Sequence, residues 1–143
     1  MERASHAVGR LDGLEGVVLL GPDHYRRPEQ WDIDVGSYAQ RALEHALKAV
    51  IAAHGARYNH IHPLNQLLED AQQFVPDLSL RSNLAVLSDF AGGKVYGTPA
   101  LEVPVDELLE SVRQDVTDLL SICARKADFD PWTVGRDDFQ RGA

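Results

Sequence analysis

Four side chains within one short stretch carry the densest chemistry of this sequence: His54, Arg57, His60 and His62. An arginine offers a rigid, permanently charged fork that matches a phosphoryl group, and a histidine offers a base that titrates near neutral pH. Held against one phosphate, Arg57 and His62 would activate an RNA 2′-hydroxyl and stabilise the charge that develops on phosphorus. Two other readings stand beside that one. Three histidines invite a metal, but His60 and His62 sit two apart on a connection with no carboxylate or cysteine nearby to complete a shell, so no metal and no cofactor is expected. His62 also precedes Pro63, and a residue before proline is pushed extended, as a helix N-cap must be. Capping would account for His62 without any reaction.

These residues join two helices. The first is read from Ser37, whose hydroxyl and Gln40 form a capping box, and it runs without a breaker to Gly55, which suits a C-terminal stop. Winding 38–54 at about 100° per residue gathers Arg41, Glu44, His45 and Lys48 into one polar arc. Nearly every other position is apolar or small, including Tyr38, Ala42, Leu43, Ala46, Leu47, Val50 and Ile51. A surface helix shows a stripe; this one is apolar over most of its circumference, which places it at the centre of a bundle. Arg41, His45 and Lys48 in the arc are candidates for holding nucleotide phosphate. The next helix opens at Pro63, with Leu64, Leu67, Leu68, Ala71 and Phe74 on one narrow stripe, and Pro76 ends it.

The remaining elements are also helical in pattern. Residues 3–20 read as a first helix with Ala4, Ala7, Val8, Leu11, Leu14 and Val18 on one face, although Gly9, Gly13 and Gly16 each weaken it by up to ~1 kcal/mol. Glu15 falls inside that face, as a carboxylate at the frayed end of the stripe or as a buried acid, and a buried charge needs a partner. Gly21 to Gly36 reads as a loop in which Arg26 and Arg27, beside Tyr25 and Trp31, either grip a phosphate or are simply solvated. A fourth helix is expected over 80–91, with Asn83 facing inward and needing a hydrogen-bond partner, and Gly92-Gly93 stops it. A fifth starts near Pro104, with Asp106 and Glu107 in its first turn and Arg125 and Lys126 in its last, both favourable to the helix dipole. Cys123 lies on its apolar stripe and reads as a small core residue rather than a reactive thiol.

Composition bounds the functions. The 143 residues are 44% hydrophobic and 25% charged, ordinary for a globular protein of one domain. The expected division is a helical bundle over 1–127 followed by a polar tail over 128–143, which contains Trp132. The net charge of −8 argues against broad, sequence-independent phosphate binding, which needs clustered Lys and Arg, but leaves room for a small cleft holding a few phosphates. A single cysteine rules out an intrachain disulfide and fits a reducing compartment. No apolar run approaches membrane-spanning length and the N-terminus has no signal-peptide core, so a cytoplasmic protein is expected.

The segment YAQRALEHALKAVIAAHGARYNHIHPLNQLLEDA resembles the core of HEPN domains, in which an AQQAAEKALKALL-type helix precedes a glycine and a second helix start. LSDFAGGKVYGTP is similar to a later family segment, with Lys94 and Tyr96 at its Arg and Tyr positions, and the long amphipathic helix that follows fits as well. The likeness covers about 37–125. It implies an all-α, up-and-down bundle of four to five helices that usually dimerises and is often encoded beside a minimal nucleotidyltransferase, as in toxin–antitoxin-like systems. Many such proteins are metal-independent ribonucleases; others are non-catalytic partners that bind nucleotide or RNA. The resemblance thus adds Lys94 and Tyr96 to the candidate phosphate ligands. The family's ribonuclease motif, Arg followed four to six residues on by His, normally opens the last long helix. That place here reads VPVDELLESVRQ, with no histidine, and Arg57–His62 falls one connection too early. The residues therefore favour a binding module over a ribonuclease, with a structural dimerisation bundle as a third alternative.

Overall fold

The computed structural model describes residues 2–57, 63–90, 101 and 103–126. Among them the regular elements are α1 (Glu2–Leu20), a 3-10 turn (Pro22–His24), α2 (Pro28–Ala53), α3 (Leu64–Gln72), α4 (Leu84–Ser88) and α5 (Val105–Lys126). All are helical, and α2 packs against α1, α3, α4 and α5. The wide apolar circumference of α2 is why: Ala39, Ala42, Leu43, Ala46, Leu47 and Val50 have no solvent exposure at all. Helices on several sides of one apolar rod bury more of it than a single neighbour could, so α2 is the axis of the bundle. His60, His62, Lys94, Tyr96 and the tail 128–143 lie outside the described residues.

α2 is longer than its sequence suggests. Ser37 and Gln40 are not a capping box; the helix already starts at Pro28, whose missing N–H and fixed φ suit the first helical position, with Arg27 extended before it. Gly36 looked like the end of a loop but lies inside the helix against the buried ring of Phe90, where any Cβ would collide with that ring. A tertiary contact, not a turn, requires this glycine. The expected loop 21–36 shrinks accordingly to the 3-10 turn and its flanks. Trp31 Nε1 donates to the Val17 carbonyl at 2.8 Å, and the Tyr25 hydroxyl donates to Asp34 at 2.7 Å. Of the two aromatics beside Arg26 and Arg27, Trp31 therefore fastens α2 to α1 and Tyr25 fastens the connecting turn to α2. At the other end α2 stops as expected: Gly55 takes φ 76°, and the Ala56 N–H reaches back to the Ile51 carbonyl at 3.2 Å.

Three further expectations change. α3 begins at Leu64 with Pro63, not His62, as its capping residue, and it ends at Gln72, leaving Phe74 outside it and 40% exposed. α4 is five residues rather than twelve. Asn83 does not face inward: it is exposed and caps α4, its Oδ1 accepting from the Val86 N–H at 3.2 Å. Residues 81 and 82 are claimed instead by Asp115 of α5, a fully buried carboxylate. It accepts from the Arg81 and Ser82 N–H groups at 2.9 Å each and from the Ser82 hydroxyl at 2.6 Å. Those backbone donors serve a side chain, so helix does not form before Asn83.

On α1, Ala4, Ala7 and Leu14 are buried as the face predicts, but Val8 is 45% exposed. Glu15 is neither frayed nor buried: it accepts from Arg113 Nε of α5 at 3.1 Å. On α5, Leu108, Val112, Val116, Leu119 and Cys123 are buried, so Cys123 is a core residue as its place on the apolar stripe predicts. Burial pushes the Cys123 thiol up to about 11.

Candidate functional site

α1 and α2 run antiparallel, as two contacts at opposite ends establish: Arg3 beside His45, and Val17 beside Trp31. Along their seam lies a shallow groove of 460 Å³ lined by Arg3, Ser5, His6, Gly9, Arg10 and His45. Arg3, His6 and Arg10 are spaced i, i+3 and i+7, so α1 presents all three on one face. Gly9 keeps that face open, since nothing lies within 4 Å of where its Cβ would be. Arg41 stands exposed one turn before His45 on α2. Among the described residues neither Arg10 nor Arg41 makes a hydrogen bond or ion pair.

His45 is the fixed point of the groove. Arg3 Nη1 donates to its Nδ1 at 3.1 Å, and the His6 ring meets it edge-on with centroids 5.2 Å apart. Because an arginine has no acceptor, His45 Nδ1 must be unprotonated, which leaves the proton of the neutral ring on Nε2. Burial, then the Arg3 charge, pushes the His45 pKa down to about 4, with Glu44 pulling weakly the other way. The ring is therefore neutral at pH 7: a hydrogen-bond donor through Nε2, and a poor general base.

Lys48, expected in the same polar arc, is turned inward. It is 2% exposed and its Nζ binds Glu44 at 2.9 Å. Gln40, also buried, donates to the other Glu44 oxygen at 2.8 Å. Burial pushes the Glu44 carboxyl up, but the hydrogen bonds from Gln40 and Lys48 outweigh it and hold the group below its ordinary value. The arc thus divides: Arg41 and His45 face outward, while Lys48 closes an internal ion pair that a phosphate would have to break.

The histidine-rich connection is placed in part. His54 ends α2, its Nδ1 donating to the Val50 carbonyl at 2.8 Å and its ring stacked on Phe74 with centroids 5.0 Å apart. Arg57 is exposed just beyond Gly55. Since His62 lies outside the described residues, the Arg57–His62 pair has no described geometry. Among the described residues no group of three His, Cys, Asp or Glu side chains is placed to hold a metal ion. No described helix is long and apolar enough to cross a membrane.

Arg3, His6 and Arg10 lie outside the apolar face that the sequence pattern of α1 marks. Their own helical spacing was the available signal. What it lacked was the partner: His45 lies 42 positions away.

The model of the HEPN domain family matches residues 32–126. The chain belongs to the HEPN domain family. No curated protein and no solved structure matches it. HEPN domains are nucleotide- or RNA-associated modules that commonly dimerise, and the described bundle is of their helical kind. The matched residues begin inside α2, so α1, with Arg3, His6 and Arg10, precedes them, whereas Arg41 and His45 fall within them.

Proposed function

We propose that this protein is a HEPN-type binding module that holds nucleotide or RNA phosphate in the α1–α2 groove and works with a partner protein, a minimal nucleotidyltransferase of a toxin–antitoxin-like system, as a homodimer in the cytoplasm. The observation that carries the reading is the groove itself. In a chain of net charge −8, two helices bring Arg3, His6, Arg10 and His45 to one groove, Arg41 stands exposed one turn before His45, and neither Arg10 nor Arg41 has a carboxylate among the described residues. A guanidinium such as that of Arg10, left without a counter-charge in a concave site, favours phosphate. A neutral His45 adds a directional donor rather than a base, so the groove supports binding more readily than cleavage. Arg57, Lys94 and Tyr96 remain candidate additional contacts.

Anisotropy of a fluorescein-labelled uridine oligonucleotide tests the reading. Wild type is expected to bind, and Arg10→Ala to weaken binding roughly tenfold, the loss of about 1.4 kcal/mol, with an unchanged circular dichroism spectrum. Equal affinities for wild type and Arg10→Ala would move the site elsewhere. Metal-free RNA cleavage by wild type that disappears in His62→Asn would replace this reading with a ribonuclease built on Arg57 and His62.

A further inference from the structure

We infer that the groove takes several consecutive phosphates of a single strand rather than the phosphate of one mononucleotide; this rests on the reading of the groove as a phosphate site. The argument is one of length and of separate donors. Arg3 and Arg10 are seven residues apart on one helix, and at a rise of about 1.5 Å per residue they stand roughly 10 Å apart along its axis. A stacked strand carries a phosphate about every 3.4 Å of rise, so that span covers about three phosphates and exceeds the reach of any single one.

The donors along the span are distinct. At one end Arg3 is directed to His45, to whose Nδ1 it donates at 3.1 Å. In the middle stands His6, one helical turn along and exposed. At the far end Arg10 is bound to no described carboxylate. Ser5 and Gly9 are small and line the same groove, which leaves the floor between the two arginines low enough for a sugar–phosphate chain to lie along it. A mononucleotide would engage one end and leave the other empty. The triphosphate of a nucleotide is shorter than the span, whereas a strand can occupy all of it. A groove open to solvent along its length also suits a chain that enters at one end and leaves at the other.

The test compares uridine 5′-monophosphate, ATP and a uridine hexanucleotide by isothermal titration from low to moderate salt. For single strands the slope of log K against log salt is about −0.7 per phosphate neutralised. The hexanucleotide is expected to bind at least tenfold more tightly than either mononucleotide, with a slope near −2. Arg3→Gln and Arg10→Gln should each reduce that slope by about 0.7, because each removes a different phosphate contact. If uridine monophosphate or ATP binds as tightly as the hexanucleotide, with a slope no steeper than about −0.7, the inference is overturned while the groove remains a phosphate site. If none of the three binds, the phosphate reading itself falls and the inference with it.

Discussion

The molecule contains two polar clusters that look alike in composition and differ in what their groups are left to do. Around Asp115, a buried carboxylate meets two backbone N–H groups and a serine hydroxyl, with the Arg81 guanidinium 3.8 Å away. Arg81 in turn bonds Asp118 at 2.9 Å. Every strong donor there has an acceptor within the protein. In the α1–α2 groove donors predominate among the described residues: Arg3 donates to a neutral imidazole nitrogen of His45, and the carboxylate next to it in sequence, Glu44, is occupied by Gln40 and Lys48. The first cluster replaces a missing turn of helix. The second presents in Arg10 a charge that no described carboxylate pairs. Burial alone would have pointed to Asp115 as the chemically interesting residue; donor–acceptor balance points to the groove.

If that contrast is right, mutations in the two clusters separate stability from binding. The largest effect is expected at Asp115→Ala, which leaves the Arg81 and Ser82 N–H groups without their acceptor and should lower unfolding free energy by about 2–4 kcal/mol in urea denaturation; a loss under ~0.5 kcal/mol would mean that water takes over the carboxylate's place. Gly36→Ala comes next: it drives a methyl into the Phe90 ring and should cost about 1–3 kcal/mol, with Gly36→Ala/Phe90→Leu partly recovering it. Arg10→Ala belongs to the other class. It should leave the melting temperature unchanged within error, since surface changes seldom exceed ~0.5 kcal/mol, while weakening oligonucleotide binding.

Two smaller effects follow from the shifted titrations. Folding lowers the His45 pKa from 6.5 to about 4, so in that interval the unfolded chain binds the proton and the folded chain resists it. Stability should therefore fall as pH drops from about 6.5 toward 4 and be insensitive to this residue above that window. His45→Gln should flatten that slope; an unchanged slope would assign it to other groups. Cys123, raised to about 11 and 2% exposed, should not react with Ellman's reagent at pH 8 until the protein is unfolded.

What the sequence made legible was whatever depended on local periodicity. The apolar circumference of α2, the α5 stripe from Leu108 to Cys123 and the stop at Gly55 all follow from residue types within a few turns of one another. What it hid depended on contacts across the chain. Gly36 and Ser37 mimic a helix start because the reason for the glycine is Phe90, 54 positions later. The fourth helix was read too long because Asp115 takes its first donors from another helix. Lys48 was placed outward since winding alone cannot say that Glu44 and Gln40 turn inward with it. The candidate groove is half visible for the same reason: His45 can be read from α2, but only the pairing of α1 with α2 completes its lining.

The most direct measurement is histidine ring NMR during titration with a uridine hexanucleotide. The chain has six histidines, of which His6 and His45 meet in the groove while His24 and His54 lie elsewhere on the described bundle. The account predicts that the His6 and His45 ring signals move together and saturably, that His24 and His54 stay fixed, and that Arg10→Ala weakens the response. Shifts confined to His60 and His62, with His6 and His45 unmoved, would contradict it and return the chemistry to the connection after α2.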